Sequence, residues 1–531
     1  MKLLVLVWTA GCKESNKQAM EKIISLSQDS VDGRDLKYLN PVPEAVHLGK
    51  CFKSAFANWF LYYRGERFNL SNLRVLYNDA NETIKHGMHQ TTTLSAIRNR
   101  DRMSVEDLLV IAKPSVRAIL TKIPAIVQTI VPETFRLYKG NSKGVLENPT
   151  GVCIADHGNL FITDNKRCRL FLARLHYPVD VTEVSKSLKN PNGVTYSGGV
   201  VYVADTGHGR IAYKAVVLSV FLEPKKMKVQ DIRVKLEEID IQVPEASRKK
   251  DLVEALTKWI NNERKKVNYC LSDLNKLLLD RDLTSPLAVI AAANDMLMVT
   301  DSDSHGVYQV DIANNGTCLQ GRVNLLFRLP VNSQPFGLAF DGNNLYIGDS
   351  GNDGGITKFN LATLQAVMIV KNGSPDCQFV HGLDYTSDGK IIFADRGSCV
   401  VRELLQTQSD CSHSTIKILA GSGKGSSNDG SSNSASFSQP TAVCAEGKTI
   451  YVTDTAVGAI RMTTPTNSLC TFLEMFDVLY KIFGVHLKGM KAEEHTLDEA
   501  LSSLNGIISP CDQWINEVQN VIGKKVVTQG P

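Results

Sequence analysis

The stretch VYVADTGHGRI, residues 201–211, sets Asp205, His208 and Arg210 within six positions. A carboxylate, an imidazole and a guanidinium so close together suit metal ligation or acid–base chemistry. The rest of the chain bears on whether this is a site or architecture, because the same strand ending recurs. It reads LFITD at Asp164, LMVTD at Asp301, LYIGD at Asp349, IIFAD at Asp395 and IYVTD at Asp454. Ahead of most copies lies an apolar strand opened by Pro or Gly and closed by a turn, as in NPTGVCIADHGN, NPNGVTYSGG, QPFGLAFDGNN and QPTAVCAEGK. After most of them come a short polar turn and a new strand, as in GGITKFNL. Each unit therefore reads strand, Gly/Asn/Asp turn, strand, polar turn, strand. The six Asp residues, Asp164, Asp205, Asp301, Asp349, Asp395 and Asp454, are expected to be structural, accepting N–H bonds in the turn that follows.

One such unit cannot bury both of its faces, but six stacked radially can, and closure leaves few edges. The spacings between the Asp residues are 41, 96, 48, 46 and 59. A unit of about 40 to 48 residues fits one four-stranded propeller blade. The two long spacings predict one insertion after blade two and one before blade six. NPTGVCIADHGNLFITDNKRCRLFLARL and NPNGVTYSGGVVYVADTGHGRIAYKAV resemble NHL repeats. That resemblance spans about residues 145–465 and implies a mainly β fold, a six-bladed β-propeller over residues 133–465. Repeat five lacks the leading Pro, and repeat three lacks the Gly after it.

The first insertion, residues 225–283, changes from strand to helix. Ile232, Leu236 and Ile239 share one helical face, and Leu252, Leu256, Trp259 and Ile260 share another. Ser247 stands where it could cap the second helix. Helix, loop and RKKDLV resemble a SAP motif, with Asp240 and Ser247 where that motif has glycines. The resemblance implies DNA contact. Arg248, Lys249 and Lys250, with Arg233, are the residues placed to meet phosphate. The competing reading is an amphipathic hairpin with a solvated basic face. The second insertion, GSGKGSSNDGSSNSASF (421–437), lacks the GxxxxGK[ST] spacing of a phosphate loop and is expected to be a flexible connection.

Residues 1–132 read as an α/β region and residues 466–531 as a helical tail. The apolar run of MKLLVLVWTAGC, Leu3 to Trp8, is short for a secretion signal and reads as a buried strand. The order of strand, SNK and Pro-x-x-x-His-Leu-x-Lys resembles the RNase H-like core of some DNA transposases, but Gly11 stands where that family has an acid. Glu44 is the only acid near His47, so the resemblance implies a remnant without a complete metal site. Leu473, Phe476, Leu479, Tyr480 and Phe483 form an apolar stripe suited to core packing or to helical self-association. The chain ends on VVTQGP without a structural stop, the pattern of a fragment.

The chain has 531 residues, 43% apolar and 21% charged, with a net charge of +4. That composition is ordinary for a globular protein and too mild for a whole-chain nucleic-acid binder. The twelve cysteines include no CxxC pair, and they read as reduced thiols of an intracellular protein of the cytoplasm or nucleus. No run approaches the roughly 20 apolar residues of a membrane span, so no membrane association is expected. No Ser–His–Asp, HExxH, GxSxG or P-loop pattern is present. His157, His208, His305 and His381 are placed in loops of four blades at positions that are not equivalent. This argues against a converging site like that of the NHL-like propeller that is a zinc lyase. The expectation is a scaffold without catalytic residues, metal or cofactor that binds a protein or peptide on a propeller face. The family resemblance adds substrate recognition in a ubiquitin pathway as one setting. The alternative is DNA or RNA binding, through the insertion or through Lys166, Arg167, Arg169 and Arg210 on the propeller.

Overall fold

The computed structural model describes residues 56, 61–63, 66–78, 110–131, 135–136, 143–144, 146–175, 179–216, 229–238, 241–244, 247–266, 274–314, 318–374, 376–405 and 415–474. The expectations for the first strand, Gly11, Glu44, His47 and the tail beyond residue 474 lie outside these residues. The chain divides into two compact units, residues 125–464 and residues 1–124 with 465–531.

The larger unit is a six-bladed propeller. Blade one runs from an inner strand, Pro149–Ile154, through Leu160–Asp164 and Arg169–Arg174 to an outer strand, Asp180–Ser185, all antiparallel. The other inner strands are Pro191–Ser197, Pro286–Ala293, Pro335–Phe340, Val380–Tyr385 and Pro440–Glu446. Each lies against the inner strands of the blades before and after it, and blade six returns to blade one. The first residue of every inner strand is in register with the repeat Asp: Pro149 with Asp164, Pro191 with Asp205, Pro286 with Asp301, Pro335 with Asp349, Val380 with Asp395 and Pro440 with Asp454. Proline is tolerated there because the first residue of a strand need not donate to the ladder.

The third position of each inner strand is Gly or Ala: Gly151, Gly193, Ala288, Gly337, Gly382 and Ala442. Close approach of neighbouring blades explains this. A Cβ on Gly382 would lie 2.6 Å from the Thr441 carbonyl oxygen and 2.7 Å from the Ala442 Cα. The glycine of the repeat is thus a contact surface for the next blade.

Closure uses a strand from ahead of blade one. Ala125–Val131 lies beside Ala459–Pro465 as the fourth strand of blade six, and Gly430–Ser431 pairs beyond it. The propeller therefore begins before residue 133, the start expected from the repeats alone. The first insertion also sits differently from expectation. Blade two closes on Asn275–Lys276, after the helices, so the insertion interrupts blade two between its third and outer strands. Its helices, Val229–Glu238 and Lys249–Lys266, bury Ile232, Leu236, Leu252, Leu256 and Ile260 in one cluster with Leu172, Val184 and Val194 of blades one and two.

The Gly/Ser segment 421–437 is not a loose connection. Arg461, with no solvent exposure, lies over the Phe437 ring. Its guanidinium donates to the Ser436 and Asn428 carbonyls at 2.9 and 2.8 Å and to Asp429 at 2.9 Å. Asp429 also accepts the Thr129 N–H at 2.8 Å, joining the segment to the closing strand. Composition suggested freedom here, but a distant arginine supplies the donors that order the backbone.

In the smaller unit, the hairpin Leu61–Tyr63 with Glu66–Phe68 precedes the helix Leu70–Asn78. Phe56, Phe68 and Phe472 pack their rings together, and the Ser468 N–H donates to Glu66 at 2.8 Å. Segments from both ends of the chain thus share this unit, although the sequence reading treated them as separate regions.

Candidate functional site

Asp205 is fully buried. Its carboxylate accepts the Lys189 N–H at 2.7 Å, the Arg210 Nε–H at 2.7 Å and His208 Nδ1 at 2.9 Å. The Asp–His–Arg set therefore ties the turn before the inner strand to the turn after the second strand. The other repeat Asp residues are also buried, and each holds the turn before its inner strand. Asp164 holds Glu147 and Arg167, Asp349 holds Gln334 and Gly351, Asp395 holds Gln378 and Ser398, and Asp454 holds Ser438 and Gln439, all through backbone N–H groups. Asp301 takes five hydrogen bonds from Thr284, Ser285 and Ser304. Burial alone would raise its carboxyl, yet those bonds together hold it below its ordinary value. Sequence reasoning assigned these residues to the turn after the strand; the partners 15 to 17 positions earlier become visible only once the strands pair. Arginine partners stand at Asp205, Asp395 and Asp454.

The basic residues divide by what they touch. On the propeller, Lys166 and Arg167 pair with Glu147 at 3.2 and 2.8 Å, Arg169 pairs with Glu183, and Arg210 pairs with Asp205. In the insertion, Arg233 donates to the Ser247 and Pro244 carbonyls and so pins the loop between the helices. Arg248 stands just ahead of the second helix, and its N–H is accepted by Asp251 at 3.0 Å, so Asp251 rather than the Ser247 side chain caps it. Arg248, Lys249 and Lys250 are exposed. Arg248 stands 3.9 Å from Asp251; Lys249 and Lys250 have no ion-pair partner among the described residues.

The histidines do not converge. His157 sits in the turn after the inner strand of blade one, whereas His208 and His305 follow their repeat Asp residues, at the other ends of the second strands. His381 is not in a loop as expected; it lies within an inner strand. Its ring stacks on Phe336 with centroids 4.1 Å apart. Burial, with the Arg396 charge, pushes its pKa down to about 3, against the pull of the Thr441 backbone. The ring is thus neutral near pH 7.

His381 lines the central channel, a cavity of about 370 Å³ walled by all six inner strands. The fifth positions of those strands include Cys153, Thr195, Asp384 and Cys444. Thr195 and Asp384 each reach into the next blade, accepting the Ala291 N–H at 3.2 Å and the Ala445 N–H at 2.8 Å. Burial pushes the Asp384 carboxyl up to about 6, against the Ala445 and Tyr385 N–H groups. Burial, with the Asp384 charge, also holds the Cys153 and Cys444 thiols well above their ordinary range. Protonated thiols are poor nucleophiles and poor metal ligands. Among the described residues, no group of three His, Cys, Asp or Glu is placed to hold a metal ion. No helix among them is long and apolar enough to cross a membrane.

The NHL repeat family matches residues 188–212, the stretch that contains Asp205, His208 and Arg210. No curated protein matches the chain. Solved structures similar to it include a protein of unknown function from Bacteroides thetaiotaomicron, 14% identical, covering 64% of this chain and 76% of that one with a TM-score of 0.45. Virginiamycin B lyase from Staphylococcus aureus is 11% identical and covers 64% and 98% with a TM-score of 0.36. A gluconolactonase from Xanthomonas campestris is 13% identical and covers 64% and 90% with a TM-score of 0.39. At such values the activities named for those proteins carry nothing over to this chain.

Proposed function

The chain is an NHL-repeat β-propeller, and on that premise we propose that it acts as an interaction scaffold that docks a protein partner on the rim formed by blades four and five. The distribution of exposed apolar side chains carries this reading. Among the described residues nine large ones stand exposed: Leu364, Val367 and Met368 belong to blade four, Ile418 to blade five, and Val331 and Phe379 to the connections leading into those blades. Val331 is 78% exposed and Leu364 67%. The outer strand of blade four, Gln365–Lys371, has no strand beyond it among the described residues and no charge before Lys371. An uncharged apolar edge invites another chain, whereas the corresponding edges of blades three and six are partly covered by Leu278–Leu279 and Gly430–Ser431. The test is affinity capture with the full chain and with a Val367→Glu, Met368→Glu variant of unchanged melting temperature. A partner kept by the first and lost by the second supports the reading; partners held equally by both overturn it.

A second reading, nucleic-acid binding, rests on Arg248, Lys249 and Lys250. They stand exposed on the insertion, while the propeller's own basic candidates are paired with carboxylates. Oligonucleotide binding that weakens steeply with salt and is lost on replacing the three by Ala supports this reading. Binding unaffected by that replacement removes it.

A further inference from the structure

The wall of the channel is chemically uneven. Blades three and four contribute apolar groups, among them Leu287, Ile290, Phe336 and Ala339, whereas blades five, six, one and two contribute His381, Asp384, Cys444, Cys153 and Thr195. Among the described residues, Asp384 is the only carboxylate on that wall, and no Lys or Arg lines it. It is half-buried and has no ion-pair partner among the described residues. The buried repeat Asp residues differ: three of the six have an arginine at hand.

A carboxylate in a low-dielectric wall calls for a counter-charge. Asp384 takes one N–H on each oxygen, from Tyr385 at 2.8 Å and from Ala445 at 2.8 Å. A carboxylate offers about four acceptor positions, so each oxygen keeps acceptor capacity beyond these two bonds. The apolar arc of blade four adjoins blade five, so charge and apolar wall meet along one side of the cavity. A cavity of about 370 Å³ falls in the range of small-molecule sites.

We infer that the channel binds a small organic cation, a primary ammonium on a slim apolar body, with the ammonium on Asp384 and the body against Ile290 and Phe336. An ammonium brings three donors and the missing charge. A slim body suits a cavity of about 370 Å³. A metal ion held through the neighbouring thiols would need thiolates, which burial opposes.

The test is calorimetric titration of the full chain with n-butylammonium at pH 8, set against 1-butanol, sodium and magnesium. Two variants accompany it: Asp384→Asn, which removes the charge, and Phe336→Ala, which removes the apolar wall and leaves the carboxylate in place. Both are first matched to the parent chain by circular dichroism. We expect saturable binding of n-butylammonium alone, weakened about tenfold or more by either variant. Binding should also weaken toward pH 5 as Asp384 takes up a proton. The titratable groups around it, the thiols of Cys153 and Cys444 and the imidazole of His381, are held neutral by burial. Equal binding of 1-butanol would show an apolar cavity only and overturn the assignment. Binding of magnesium or sodium in place of the ammonium, binding unchanged in Asp384→Asn, or no binding at all would do the same. Loss of partner capture in the rim variant leaves this result untouched, since Val367 and Met368 do not line the channel.

Discussion

A buried carboxylate can hold backbone together or wait for a ligand, and the partners decide which. Asp205 is fully satisfied by Lys189, His208 and Arg210. Replacing it by Ala strands the Arg210 guanidinium and the Lys189 N–H, and urea denaturation should show a loss of about 3 to 5 kcal/mol. Asp384 and His381 should respond to pH in opposite senses. Asp384 has a folded pKa raised from 3.8 to about 6, so within that window the folded chain keeps a proton that the unfolded chain has lost. Its contribution to stability therefore falls as pH rises through that window, and Asp384→Asn should remove this slope from melting temperatures recorded between pH 4 and pH 7. His381 has its folded pKa lowered from 6.5 to about 3. There the unfolded chain binds the extra proton, so stability is lost as pH falls below 6.5. His381→Gln should flatten that acid limb in melting temperatures recorded from pH 7 to pH 4.

At the scale of elements, the inner strands show why a repeat tolerates variation at some positions and not at others. Val380 replaces the leading Pro of blade five and keeps the register with Asp395, because the pairing needs only an extended residue there. The third position is stricter. Gly382→Val would drive a side chain into the Thr441 carbonyl and the Ala442 Cα, and should cost about 1 to 3 kcal/mol by chemical denaturation. Ala288 and Ala442 are accommodated because each packs against a glycine-bearing neighbour: Gly193 meets the Ala288 Cα and Gly382 the Ala442 Cα. The Gly/Ser segment depends on one side chain. Arg461→Met should speed proteolytic cutting within residues 421–437, while cutting elsewhere stays slow.

For the whole propeller, closure is the decisive contact. Val127, on the strand that completes blade six, has no solvent exposure, whereas Val367, on the outer strand of blade four, is 44% exposed. Both belong to strands at the outer side of a blade, yet Val127→Asp should lower stability by at least about 3 kcal/mol and Val367→Asp by less than about 0.5 kcal/mol. Matched unfolding curves would show this. Equal losses would mean that the ring does not depend on Ala125–Val131. The helical insertion adds to the core of blades one and two through Ile232, Leu236 and Leu252. Whatever it binds is therefore presented on a firm support.

The propeller was legible in the sequence because its cause is local and repeated. An apolar strand, a Gly-rich turn and a strand ending in a buried Asp leave the same trace in each copy, and the phase of six copies announces the ring. The helices of the insertion were legible for a similar reason, since one apolar face at helical spacing must be buried. What only tertiary structure decided concerns partners far apart in the chain. AIVQTIV carries no mark of the blade it completes, because its partners lie more than 300 residues away. The order in the Gly/Ser segment comes from Arg461, beyond the segment itself. The channel wall is the clearest case. Asp384, Cys153 and Cys444 sit at matching positions of three repeats. Their shared surroundings, and the carboxylate left without a cation, exist only after six inner strands have met around one axis.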